Sequence, residues 1–187
     1  MRRFLFRTIH DLALMLDQIC EQREVVPSAG IVDSQSVKAP GVRERGYDAH
    51  KKISGRKRHV TADTDGRLLA VNLTPAGIAD LTGAQLVLDA LVKRWPWMKH
   101  LFGHADYDRR TLIDKAAYLD FTVEVVRAFQ GQEGFQVQPR RWVVERTFAW
   151  LMRYRRLVQD YKQRLDVSQV MLYIALGSSL LHRIRFR

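Results

Sequence analysis

Apolar residues recur at helical spacing at Ile9, Leu12, Leu16 and Ile19, which predicts an amphipathic helix over roughly the first twenty residues, ended by Pro27, Ser28 and Gly30. The run Gly30-Ile31-Val32-Asp33-Ser34-Gln35-Ser36-Val37 reads as a strand closed by Pro40-Gly41. His59 to Thr64 and Leu68 to Leu73 flank Asp65-Gly66, a strong hairpin signal, so three antiparallel strands are expected. Between the first and second of them, Arg43 to Arg58 is dense in Lys and Arg around Gly46 and Gly55 and reads as a basic loop leading into a strand. Asp80 to Lys93 carries Leu81, Ala84, Val87, Leu88 and Leu91 on a helix stopped by Trp95-Pro96. His100 to Asp106 and Phe121 to Val126 are strand-like, with a helical stretch from Thr111 to Tyr118 between them, which adds two parallel strands. Arg141 to about Tyr161 is the most periodic segment, and Val170, Ile174, Leu181 and Ile184 mark a second long helix.

This order predicts a mixed α/β fold, with antiparallel strands one to three extended by parallel strands four and five, flanking helices and a long C-terminal helix pair. It is the element order of RNase H-like domains, although other α+β domains share pieces of it. Residues 1–26 are read as a helical segment and 27–187 as the domain proper.

Charge narrows the function. Lys and Arg number 31 against 20 Asp and Glu, a formal net charge of +11 spread along the chain, which points to a polyanionic partner, nucleic acid before membrane. Arg7, His10, Asp11 and Asp17 interrupt the apolar N-terminal stretch, so it fits neither a signal peptide nor a membrane span. The single cysteine, Cys20, excludes an internal disulfide and a cysteine-based zinc site and suits a reducing cytoplasm.

Two carboxylates stand out. Asp33 follows an apolar strand run, where burial is costly unless a cation or hydrogen bonds compensate, so it is a metal-ligand candidate; the alternative is a turn with Ser34 or Ser36. Wound at about 100° per residue, the helix after Pro139 puts Val143, Val144, Phe148, Trp150, Leu151, Tyr154, Leu157 and Val158 on one arc. Glu145 falls on the other with Arg141, Arg146, Arg153 and Arg156. A simple Arg141–Glu145 surface pair is the bland account. A metal carboxylate beside phosphate-holding arginines is the preferred one, since four arginines exceed what one glutamate requires.

The segments Pro27 to Lys38, Arg45 to Lys52, Gly55 to His59 and Pro139 to Leu151 resemble, in order, those of DDE transposases of the insertion-sequence-five family. The resemblance runs from about Pro27 to the C-terminus. It implies an RNase H-like fold, a DNA transposase cutting the ends of its own element and joining them to target DNA, and Mg²⁺ or Mn²⁺ as cofactor. It also implies Asp33 as the first catalytic carboxylate and Glu145 as the third, with Arg141 matching the arginine of the C-terminal signature. That signature's earlier aromatic position is Gln138 here, and its later basic position is Met152, with Arg153 one step on.

The family's middle carboxylate is an Asp three residues before a Tyr, and that position holds His104. Imidazole is a poorer partner for Mg²⁺ than a carboxylate. Asp106, two residues on, faces the same side of a continuing strand and is the expected second catalytic and metal carboxylate, unless it caps the following helix; His104 is the secondary ligand candidate. Expected phosphate contacts are Lys51, Lys52, Arg56, Lys57 and Arg58 of the basic loop, and Arg141, Arg146, Arg153 and Arg156 of the helix. Family members usually carry a further helical DNA-binding stretch before the point where this chain starts, which implies either the downstream frame of a two-frame element or a truncated copy. The expected partners are therefore double-stranded DNA, further copies of the chain on DNA, and an upstream-frame DNA-binding product, in the bacterial cytoplasm near the nucleoid. A catalytically inactive DNA-binding remnant or regulator is the rival, and a host RNase H-like nuclease a third reading.

Overall fold

The computed structural model describes residues 2–104, 107, 110–126 and 141–186. Its elements are α1 (Arg2–Cys20), β1 (Ala29–Lys38), β2 (Gly46–Asp48), β3 (Ile53–Ala62), β4 (Leu68–Pro75), α2 (Asp80–Arg94), β5 (His100–His104), α3 (Arg110–Tyr118), β6 (Thr122–Val126), α4 (Arg141–Met152), α5 (Arg155–Val158) and α6 (Leu165–Arg185). One sheet has β1 and β3 at its centre. Strand β3 pairs antiparallel with β1 on one side and with β2 and then β4 on the other, while β5 and β6 extend β1 in parallel. The expected antiparallel-then-parallel sheet is therefore present, with the short β2 added to it.

The β3–β4 hairpin closes on the Asp-Gly signal. Asp63 Oδ1 accepts the amides of Asp65 and Arg67 at 2.9 and 2.8 Å, and Gly66 adopts φ +84°, which a side chain would resist. Alternation along the strands divides the core. Val32, Leu69 and Ala70 pack with Ala84, Val87, Leu88 and Leu91 of α2 on one face. Ile31, Val60, Val71 and Phe102 pack with Val143, Val144, Phe148 and Leu151 of α4 and with α6 on the other.

Three local expectations change. First, the basic stretch Arg43 to Arg58 is not a loop throughout, because β2 and most of β3 lie within it. Since β3 is paired on both edges, its side chains point into the covering layers, and Arg56, Lys57 and Arg58 are buried. Their charges are met inside the protein. Arg56 donates to Asp160 at 2.9 Å, to Ser168 Oγ at 3.0 Å and to three backbone carbonyls. Arg58 donates to Gln35 and the Leu157 carbonyl. These two guanidiniums, and Lys57, are structural rather than a basic surface.

Second, the periodic segment from Arg141 is not one helix. Amides of Arg153 and Tyr154 reach back only three residues, to Trp150 and Leu151, which tightens the end of α4. The Tyr154 hydroxyl is bound to Ala175 O and Ser179 on α6, fixing the break before α5.

Third, α1 turns its other face inward. His10, Ala13, Leu14, Asp17 and Gln18 are buried, and α1 packs along α6, whereas the Ile9, Leu12, Leu16 and Ile19 stripe is exposed. The inward polar groups have partners that make this orientation favourable. Arg67, fully buried, donates to Asp17 at 2.5 Å and to Asp65 at 2.6 Å, and Gln18 donates to Asp63 at 2.7 Å. Asp17 and Glu21 also lie 3.7 and 3.2 Å from Arg183 of α6. These contacts tie α1, the hairpin and α6 together.

Candidate active site

Parallel pairing of β1 with β5 ends at Val32–Gly103, so Asp33 and His104 are the next residues on two adjacent strands. Asp33 shares its strand face with Ile31, and His104 shares its own with Phe102, which is the face covered by α4. Both line one small depression, with Val126 from β6 and Val144 from α4. Asp33 is half-buried, and its Oδ1 accepts the Ser34 amide at 2.7 Å. Burial of Val143, Val144, Phe148 and Leu151 seats α4 on the sheet and leaves Glu145 exposed, next in sequence to the Val144 that closes the depression. The arc read from the sequence is thus largely the buried one, although Val158 is 41% exposed.

The structure brings together Asp33, His104 and the helix of Glu145. Asp106 and the side chain of Arg141 lie outside the described residues. Among the described residues, no three His, Cys, Asp or Glu side chains cluster closely enough to hold a metal. Oxygen donors from Asp33 and Glu145 suit a hard divalent cation, whereas the His104 imidazole suits a softer one.

The cationic residues separate into two groups. Lys51, Lys52, Arg153 and Arg156 are exposed. Arg146 is held in place, with its guanidinium 4.4 Å from the ring centre of Trp142 and 5.0 Å from that of Trp150, and it donates to the Asp65 carbonyl at 2.6 Å. Next to it, Thr147 Oγ1 donates to the Gly66 carbonyl at 2.8 Å, fastening α4 to the hairpin. A cavity of about 540 Å³ lies between the hairpin, Trp150 of α4, Tyr154 at the start of α5, and α6, and Asp33 is not part of its lining.

A polar cluster on the opposite face of the sheet went unread in the sequence. Ser34 and Ser36 lie directly across from His59 and Lys57. Ser34 donates to Asp80 and Ser36 to Asp48, both at 2.6 Å, and Lys57 lies 3.0 Å from Asp80 and 3.6 Å from Asp48. Burial alone would raise Asp48, but the Ser36 hydroxyl, the Lys51 amide and the Lys57 and Lys51 charges outweigh it and hold its pKa at about 2. Burial also opposes ionisation of Asp80, and Ser34 and Lys57 more than offset it, so its pKa is lowered. Burial drops His59 to about 4, with Asp80 only partly opposing it. The alternating serines of β1 were the available signal, but their partners come from segments 12 to 46 residues away.

Residues 25–180 match the family described as "Transposase DDE domain". The chain belongs to that family. It is 33% identical over 137 residues to a putative transposase for insertion sequence element IS402 from Burkholderia cepacia, a match covering 68% of this chain and 62% of that relative. The chain therefore spans about three-fifths of the curated relative's length.

Among solved structures, it resembles the catalytic core domain of BIV integrase, with TM-score 0.52 and 17% identity over 81% of this chain and 82% of that one. It also resembles a chain of the simian T-cell lymphotropic virus intasome in complex with PP2A regulatory subunit B56 gamma, with TM-score 0.55 and 15% identity over 83% of this chain and 49% of that one. These likenesses establish the RNase H-like fold of this transposase-family domain. No described helix is long and apolar enough to cross a membrane.

Proposed function

We propose that the chain is the catalytic domain of a DNA transposase that cuts phosphodiester bonds at the ends of an insertion sequence and joins them to target DNA, using Mg²⁺ or Mn²⁺. The observation that carries this reading is the placement of Asp33 and His104 side by side where the parallel pairing stops, under the helix that bears Glu145. Asp33 and Glu145 would hold the metal, with Asp106 as the third oxygen donor and His104 as the alternative. When bound, the metal activates the attacking oxygen and neutralises charge on the leaving one.

The protein's own part is placement. Asp33 is fixed by its rigid central strand and the Ser34 amide, and α4 is fixed by its buried face and by Thr147 on the hairpin. Arg153, Arg156, Lys51 and Lys52, all exposed, would hold DNA phosphates without reading sequence. Double-stranded DNA and further copies of the chain are the partners this reading calls for, in the bacterial cytoplasm and nucleoid.

The test is end cleavage and strand transfer with element-end DNA, with and without Mg²⁺. Asp33→Asn and Glu145→Gln should each abolish both reactions while DNA binding persists. Unchanged activity in either variant would overturn the site assignment. A second reading, a DNA-binding remnant without chemistry, is favoured by His104 standing where the family pattern carries a carboxylate. Salt-sensitive binding with no metal-dependent nicking would select it.

A further inference from the structure

Strand β1 runs on past the end of its pairing with β5. Its pairing with β3 is continuous from Ile31 to Lys38, whereas its pairing with β5 stops at Val32. The edge that each residue faces follows from the ladder. The Ala39 amide bonds the Ser54 carbonyl at 3.4 Å, toward β3, and the Lys38 carbonyl is taken from the other side by the Asp160 amide at 2.8 Å. In an antiparallel ladder the N–H and C=O of one residue point the same way, and alternate residues point oppositely. Ser34 therefore turns both groups away from β3, to the edge that β5 has left. Its amide donates to Asp33 Oδ1 at 2.7 Å, and its carbonyl accepts Lys51 Nζ at 3.5 Å. Carboxylate and ammonium are thus attached to the two backbone groups of one residue, within about 10 Å of each other.

The turn that carries Lys51 is held from below. Asp48, buried, accepts the Ser36 hydroxyl at 2.6 Å, and its Oδ1 accepts the amides of His50 and Lys51 at 3.1 and 3.0 Å. Lys57 stands 3.6 Å from the same carboxylate. Lys52 then takes φ +53°, which bends the chain back into β3. A buried carboxylate is therefore spent on fixing a turn whose product is one exposed lysine. An exposed ammonium on a single carbonyl contributes little to stability, so fastening the fold does not account for this arrangement. Of the three N–H groups of Lys51, Ser34 occupies one. Lys57, by contrast, is engaged in the interior by the Ile78 carbonyl, Asp48 and Asp80.

We propose that Lys51 grips the DNA phosphate at which the bond is cut, and that Asp48 is the positioning residue that delivers it to the edge of β1 occupied by Asp33. The inference rests on the reading of Asp33 as a catalytic carboxylate. It separates Lys51 from the other exposed cations, Lys52, Arg153 and Arg156, which hold flanking phosphates. A compact ammonium with two N–H groups left to donate suits one phosphate oxygen at the point of chemistry.

The test measures binding without divalent metal, so that no bond is cut. Duplexes carrying the insertion-sequence end are made with one phosphate at a time replaced by an uncharged methylphosphonate, and the Kd of each is measured for the parent chain and for Lys51→Ala. The parent should lose affinity about tenfold when the phosphate at the boundary of the insertion sequence, or the one next to it, is neutral, as expected for a lost charge-assisted contact. Lys51→Ala should bind intact DNA as weakly as the parent binds that neutral duplex, and should lose nothing more from the replacement there while still losing affinity at other phosphates. Asp48→Ala should shrink the same coupling, with Ser36→Ala as the second variant if Asp48→Ala misfolds, and Lys52→Ala should leave it whole. Coupling of Lys51 to a phosphate further from the boundary, or to none, overturns the proposal. Full coupling in both Asp48→Ala and Ser36→Ala overturns the positioning role. The catalytic reading fails separately: coupling at the boundary phosphate in a chain that does not cut that DNA with Mg²⁺ would sink that reading and leave the Lys51 contact standing.

Discussion

Arg56 and Asp160, 104 residues apart, face each other at 2.9 Å with both side chains buried. The pair joins the central strand β3 to the segment just after α5. Removing one member leaves the other charge buried without its partner, a change that costs about 3–5 kcal/mol in buried pairs. Asp160→Ala and Arg56→Ala should therefore lower stability strongly in chemical denaturation. Were Arg56→Ala instead to keep its stability and weaken only DNA binding, Arg56 would be the phosphate contact that its sequence context suggests.

Stability should fall between pH 7 and 5. The folded protein keeps His59 neutral down to about pH 4, whereas the unfolded chain protonates it near its ordinary 6.5. Between those values the unfolded state binds more protons, so the stabilisation is complete above 6.5 and is lost as pH drops through the window. His10, lowered by burial, adds in the same direction. Asp48 does so only below the ordinary carboxylate range, whereas Asp63, raised by burial, opposes it above that range, between its raised value and its ordinary one. A loss of roughly 1–2 kcal/mol from His59 is expected by pH 5, and denaturation midpoints of His59→Gln should show a visibly shallower pH slope. An identical slope would mean that His59 does not titrate differently on folding.

Arg153 and Arg156 should behave differently from Arg146. The first two are exposed, so their Ala variants should weaken DNA binding and reduce the salt slope by about 0.9 for each phosphate no longer neutralised. Arg146→Ala should lower thermal stability as well, because that guanidinium stacks on Trp142 and Trp150 and bonds the Asp65 carbonyl. Filter binding across a salt series, paired with melting curves, separates the two kinds of arginine.

For the middle ligand, Mg²⁺-dependent cleavage by Asp106→Ala, His104→Ala and His104→Asp is decisive. The expected outcome is loss in Asp106→Ala and retention in His104→Ala. An inert parent that gains cleavage in His104→Asp would instead identify His104 as a disabling replacement.

Sheet, hairpin and the α4 core face were legible because each rests on local periodicity or turn chemistry, as with Asp65-Gly66 and with Val143, Val144, Phe148 and Leu151. The burial of Arg56 and Arg58 was not. A string of basic residues looks like surface until its acceptors are known, and Asp160, Leu157 O and Lys162 O arrive from about a hundred residues away. Orientation of α1 was hidden for a related reason. Its more apolar stripe lost the interior to the face carrying Asp17 and Gln18, because Arg67 and Asp63 supply partners there. At the site, the β1–β5 register brings Asp33 beside His104, a juxtaposition that no spacing within either segment could convey.

The Arg67 junction makes the first helix hard to discard. A fragment starting at Pro27 would lack Asp17 and Glu21, leaving the guanidinium with only Asp63 and Asp65 of its own hairpin in a position built for more. That same hairpin receives Thr147 and Arg146, the neighbours of Glu145 on α4. Trimming the N-terminus would thus loosen the bracket on which the proposed third carboxylate is mounted, and a shortened chain would be mis-set at its chemistry before losing any residue that takes part in it.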